Sequence, residues 1–339
     1  MNKGTISLAH GNGGRLMQQL INSMILGNFG NPILNRLDDS AVLPLKSGKK
    51  RIAFTTDSFV VNPIFFPGGD IGKLAVCGTV NDLLMVGAKP LFLSAGMIIE
   101  EGFPLDQLGR IIVSMKKTMQ TAGVRLVCGD TKVVNKGNCD KIFINTSGIG
   151  IIDEKQDIGI ARARPGDAVI VSGTIGEHGI SILSRREGLR FATRLKSDCA
   201  PLTCLVGAMI KACPGAIHVM RDPTRGGTAA VLNEIAVSSN VGVEVDENRV
   251  PVANAVRAAC ELLGMDPLYL PCEGRLLACV DSRKADTVVR VMRKFSPGEK
   301  SAIIGRVVAA HRKSVYLRTS GGGARILDVP VQEQMPRIC

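Results

Sequence analysis

Residues 70–98 read DIGKLAVCGTVNDLLMVGAKPLFLSAGMI, and this stretch decides the fold class. Residues 70–85 are predicted to be a helix, in which Gly72, Ala75, Gly78 and Thr79 allow close packing. Gly87, Lys89 and Pro90 then break the apolar run, and residues 91–98 follow as a strand. The same break means that the apolar stretch from Leu83 to Ile99 cannot span a bilayer.

The alternation continues outward in both directions. Upstream, residues 51–56 read as a strand. Downstream, residues 105–122 read as an amphipathic helix with Leu105, Leu108, Ile112, Met115 and Met119 on one face. Strands follow at 125–128 and 141–150. A polar stretch, residues 153–167, holds Arg162, Arg164, Pro165 and Gly166 and is the best domain boundary. A second set then begins, with strands at 168–172, 241–245, 275–280, 302–308 and 314–317. Its helices are expected at 202–213, 228–238, 252–263 and 284–294. Strands alternating with helices, with room for hairpins, define an α/β protein with mixed sheets. The expected organisation is a glycine-rich arm over 1–37, an N-terminal domain over 38–154, a C-terminal α/β domain over 155–319 and a flexible tail over 320–339.

The chain length of 339 residues suits about two domains. With 45% hydrophobic and 21% charged residues, extensive disorder is excluded. The opening residues lack an apolar core of the secretory type, and the ten cysteines match no zinc spacing, so a reducing cytoplasmic setting without membrane association is expected. The net charge of +12 comes from scattered basic pairs such as Lys49-Lys50, and Trp is absent. Base-stacking platforms are therefore scarce, and a polyphosphate ligand or an acidic protein partner accounts for the charge as well as nucleic acid does.

Five aspartates fall where an apolar element is expected to meet a turn: Asp39, Asp57, Asp82, Asp130 and Asp222. Singly, each is as readily a helix cap or an Asx turn. Together they suit Mg²⁺, which takes hard oxygen ligands and bridges to phosphates. The run RDPTRGG, residues 221–227, leads into a predicted helix. Gly226 and Gly227 there suit an anion at the helix N-terminus, with Arg225 as a clamp; a Thr224 cap is the alternative. No GxxxxGK[ST] and no strand-linked GxGxxG occurs, which excludes ordinary P-loop and Rossmann sites. Lys132 is placed to neutralise a transferring phosphoryl group and Glu273 to act as a general base; a surface lysine and a turn glutamate are the alternatives. Cys339 is the last residue of the sequence and follows a Gly321-Gly322-Gly323 hinge, so it reads either as an accidental thiol or as a thiol on a swinging arm.

These motifs in this order, with the glycine-rich arm, DDSAV, TTDSF, NDLLMVGA, GDTK, RDPTRGG and the final PRIC, resemble the hydrogenase-maturation carbamoyl dehydratases, the HypE family. The wider group holds aminoimidazole ribonucleotide synthetase, selenophosphate synthetase and thiamine-monophosphate kinase. The resemblance implies a two-domain PurM-like fold and a homodimer whose N-terminal sheets form a barrel-like interface. It implies Mg²⁺ on Asp39, Asp57, Asp82 and Asp222. It further implies ATP bound by Gly13, Gly14, Thr55, Thr56, Asp57, Asp130, Arg225, Gly226 and Gly227. The carbamoyltransferase HypF would load Cys339 with a carbamoyl group. ATP would drive dehydration to a thiocyanate, with Lys132 and Glu273 moving protons, and cyanide would pass to iron on a HypC–HypD scaffold. A selenophosphate synthetase is disfavoured because the first cysteine is Cys77, inside the predicted helix. A carrier that merely holds a carbamoyl group is the rival of another class.

Overall fold

The computed structural model describes residues 5–11, 13–45, 50–187, 195–329, 335 and 337–339; Asn12, Lys49 and Pro336 lie outside the described residues. An arm carrying α1 (Arg15–Leu20) leads into the first sheet. The first domain comprises β1 (Ala41–Pro44), β2 (Lys50–Phe59), α2 (Ile71–Met85), β3 (Lys89–Glu100), α3 (Leu105–Ala122), β4 (Arg125–Val134) and β5 (Ile142–Asp153). Its strand order is β1-β2-β5-β3-β4, antiparallel throughout except for the parallel pair β3·β4.

The second domain begins with β6 (Asp167–Val171), α4 (Glu177–Arg186), α5 (Thr203–Ala212), β7 (Ile217–Arg221), α6 (Gly227–Ser238) and β8 (Gly242–Asp246). It continues through α7 (Asn254–Leu263), β9 (Leu277–Asp281), α8 (Ala285–Met292), β10 (Ala302–Val308), β11 (Ser314–Arg318) and β12 (Ala324–Ile326). The sheet order is β12-β11-β8-β10-β6-β9-β7, with β8·β11 the parallel pair. Both sheets are thus mixed, as the alternating pattern implies.

Helix α2 explains why the two domains share one site. Asp70 caps it, its carboxylate accepting from Gly72 N–H at 2.8 Å and Lys73 N–H at 3.0 Å. It is buried on nearly all sides because it packs on β2, β5 and α3 and also touches α5 and β7 of the second domain. Gly78 makes this possible: a Cβ there would lie 2.8 Å from the Phe59 ring.

Two expectations need correcting. The buried face of α3 is Ile111, Met115, Thr118, Met119 and Ala122, while Leu105 and Ile112 are exposed. Ile111 wins because its turn lies against Gly72 of α2, whereas Leu105 faces solvent. The strand expected to end at Cys128 runs on to Val134, so Asp130 and Lys132 fall inside β4 and not at an element end.

Candidate active site

The cleft forms between the domains, and Asp57 and Asp82, expected at element ends, lie inside β2 and α2. β2 supplies Thr55, Thr56 and Asp57, and α2 supplies Asp82. The end of β7 and the turn after it supply Arg221, Asp222 and Arg225, and the loop before β9 supplies Glu273. Asp39, just before β1, Gly13 of the arm and Cys339 complete a cavity of about 240 Å³. A second cavity of about 490 Å³ beneath the arm shares Arg225 and Cys339, which places Cys339 at the junction of the two.

Carboxylate oxygens of Asp39, Asp82 and Asp222 lie within 4.8 Å of one another. Burial and mutual repulsion push Asp39 and Asp82 well above the usual carboxylate range, and burial pushes Asp222 up to about 6. Burial raises Asp57 too, against the charge of Arg225. The Thr55 hydroxyl lies 2.9 Å from both Asp82 Oδ2 and the Asp39 carbonyl oxygen and fixes their spacing. Arg221 is the counter-charge: its guanidinium meets Asp39 at 3.1 Å and Glu234 at 2.9 Å. Burial opposes its charge, but the surrounding carboxylates hold it above its ordinary range. Three converging carboxylates with one partly shared arginine fit a hard divalent cation. Asp57 lines the cleft outside this trio.

Glu273 is buried, and its Oε1 has no hydrogen-bond partner among the described residues. Burial holds its carboxyl well above the usual range. Asn81, next to Asp82 in the sequence, donates to the Glu273 carbonyl oxygen at 3.3 Å and ties this loop to α2.

The structure brings most, not all, of the expected site residues together. Asp130 and Lys132 pair with each other at 2.7 Å on the exposed edge of β4, away from this cleft. Gly14, Gly226 and Gly227 do not line it either. Gly14 is the N-cap position of α1. Gly226 has φ +75° and a Cβ there would strike Ala230; Gly227 has φ +62° and a Cβ there would lie 2.6 Å from the Leu270 oxygen. Close packing and a left-handed turn thus require glycine at positions 226 and 227. Arg225 does act on the arm, donating to the Gly11 oxygen at 3.0 Å. Sequence reading missed Arg221 as a site residue; an arginine directly before Asp222 in a carboxylate-rich cleft was the available signal. Arg337 binds Asp140 at 2.6 Å and the Val60 oxygen at 3.0 Å.

Two domain models match: the N-terminal domain of AIR synthase related protein over residues 37–152, and its C-terminal domain over 164–318. The molecule is therefore a two-domain α/β protein of the AIR synthase-related class. Carbamoyl dehydratase HypE of Cupriavidus necator is 48% identical over 336 residues, covering 99% of this chain and 95% of that protein. The solved structure of a hydrogenase maturation protein HypE in complex with ATP matches at 48% identity and TM-score 0.82, covering 99% of this chain and 100% of that one. A HypE–HypF complex matches at 48% identity and TM-score 0.87, covering 92% of this chain and 99% of that one. This chain belongs to the carbamoyl dehydratase HypE family of hydrogenase maturation enzymes.

Proposed function

We propose that the protein converts a carbamoyl group carried on the Cys339 thiol into a thiocyanate, using ATP. One observation carries this reading: Cys339 lines the same cleft as the Asp39–Asp82–Asp222 trio and the buried Glu273. A thiol at that position presents its substrate to groups suited to phosphoryl transfer and proton removal.

Asp39, Asp82 and Asp222 would hold Mg²⁺, and Thr56, Asp57 and Arg225 would border the triphosphate. Bound Mg-ATP supplies the phosphoryl group that turns the poor-leaving thiocarbamate oxygen into phosphate. The C–O bond breaks, the C–N bond becomes triple, and the amide's two N–H protons leave. Overall, the thiocarbamate and ATP give the thiocyanate, ADP, phosphate and a proton. Glu273 Oε1 accepts a proton from the amide nitrogen; it has no other partner among the described residues and so is available. Arg225 and Gly13 close the arm over the cleft and exclude water.

The relative solved with HypF supports a carbamoyltransferase as the source of the carbamoyl group. A HypC–HypD iron scaffold would receive the cyanide. The protein acts as a homodimer in this reading, joined through the N-terminal sheet. Phe54, Ile98, Leu126, Val127, Val133 and Ile149 of that sheet are large apolar residues exposed in one protomer. Lys132 and Asp130 lie on its β4 edge and belong to the dimer surface rather than to their own protomer's cleft.

The test is single-turnover release of labelled phosphate from γ-labelled ATP, with HypF and carbamoyl phosphate present to load the thiol. A stoichiometric release that is lost in Cys339→Ala, with ATP binding retained, supports the reading. Equal release from Cys339→Ala overturns it.

A further inference from the structure

Two side chains of α4 reach the main chain of residues 337–339. The His178 ring is wholly buried, its Nε2 2.9 Å from the Ile338 carbonyl oxygen and its Nδ1 2.8 Å from the Ser197 hydroxyl. A carbonyl can only accept, so Nε2 carries the proton and Nδ1 accepts from Ser197. The Phe66 ring meets the imidazole edge-on at 5.5 Å and fixes its plane. Two turns along the same helix, Arg186 donates to the Arg337 oxygen at 2.9 Å and to the Asn62 oxygen at 2.7 Å. Val60 and Asn62 N–H groups also donate to the oxygens of Cys339 and Arg337, at 3.0 and 3.2 Å. Ile338 is buried in the main apolar core, and Met335 reaches the helix beside Gly179.

We infer that His178 and Arg186 are positioning residues for the dehydration: through the Ile338 and Arg337 carbonyls they seat the terminal segment so that the Cys339 thiol stays in the cleft. This rests on Cys339 being the carrier. The carbamoyl group is loaded by a separate protein, so the seat must also release the segment. Hydrogen bonds to main-chain oxygens suit that task, because they are indifferent to what the thiol carries. Releasing the seat favours loading and disfavours dehydration.

The remaining cysteines make the test internally controlled. Cys128 and Cys204 are exposed, whereas Cys77, Cys199, Cys272 and Cys279 are buried. The full-length protein is alkylated with iodoacetamide, and each cysteine's rate is read by peptide mass spectrometry. His178→Phe is expected to speed labelling of Cys339 by about tenfold, the effect of losing one strong hydrogen bond. The buried cysteines should remain protected, and His178→Gln, which keeps a donor at that reach, should restore slow labelling. Dehydration by the Phe variant should slow while ATP affinity is unchanged. If His178→Phe also exposes the buried cysteines, Arg186→Gln decides: faster labelling of Cys339 alone supports the seat. Unchanged Cys339 labelling in every variant that stays folded overturns it. Failure of HypF to carbamoylate wild-type Cys339 would instead remove the carrier reading, leaving the labelling result intact.

Discussion

Replacing Asp82 with asparagine should stabilise the empty protein while removing its response to magnesium. Asp82 lies within 4.8 Å of Asp39 and Asp222, so two ionised members repel by about 3 kcal/mol at an effective dielectric of about 20. Burial is the largest cause of its raised pKa, followed by Asp222, Asp39 and Asp57, with the Thr55 hydroxyl acting in the other direction. The trio relieves part of this strain by retaining a proton, so the net gain from Asp82→Asn is about 1–2 kcal/mol. That corresponds to a rise in Tm of about 2–6 °C. Asparagine keeps the side-chain shape and can still meet Thr55, so packing is preserved. Differential scanning fluorimetry, with and without Mg²⁺ and a non-hydrolysable ATP analogue, reads both effects. The wild type should gain Tm with Mg²⁺ and nucleotide; the variant should start higher and gain little. A variant that starts lower and retains the wild-type magnesium shift would refute the reasoning.

Protonation gives a second handle. Asp222 is raised from 3.8 to about 6, so the empty protein's stability should be fullest below pH 4 and fall as pH rises through 6. The loss is at most about 3 kcal/mol for this group alone, and the magnesium-induced Tm shift should grow over the same range; a shift constant from pH 5 to 7.5 would contradict this. Glu273→Gln should leave carbamoyl loading intact and slow dehydration by about a hundredfold or more, as measured by rapid-quench formation of the thiocyanate. Gly227→Ala should lower Tm by several degrees, since φ is +62° and the Cβ would lie 2.6 Å from the Leu270 oxygen. Val127→Lys, at an exposed position of β4, should shift the protein from dimer to monomer in light scattering.

Much of the fold was legible because periodicity and punctuation agree in this chain. The α3 bounds of 105–122 coincide with the expectation, since Pro104 precedes the helix and Gly123 ends it in a left-handed turn. The β10 bounds of 302–308 also coincide. What sequence missed was set by tertiary contact. Helix α4 and strand β7 were not anticipated; β7 is short and pairs along one side with β9, and it carries Arg221 to the cleft. The buried face of α3 was misread because its apolar residues fit two overlapping stripes, and Gly72 of α2 selects between them.

The site followed the same division. Carboxylates flanked by apolar sequence could be named, because an ionisable group in such a setting requires a reason. Asp130 shared the local pattern of the others, yet the extended β4 leaves it exposed beside Lys132. The glycines after Arg225 looked like a phosphate loop, and only the three-dimensional neighbours Ala230 and Leu270 reveal their steric role. The sequence also left open where the terminal segment rests; His178 and Arg186, distant in sequence, hold residues 337–339 in place.

The most direct test follows the mass of the Glu-C peptide that ends at Cys339. The protein is incubated with HypF and carbamoyl phosphate, then with Mg-ATP. The account predicts a carbamoyl adduct on Cys339 that loses one water only after Mg-ATP is added. An adduct that persists unchanged with Mg-ATP, or water loss without ATP, would contradict it.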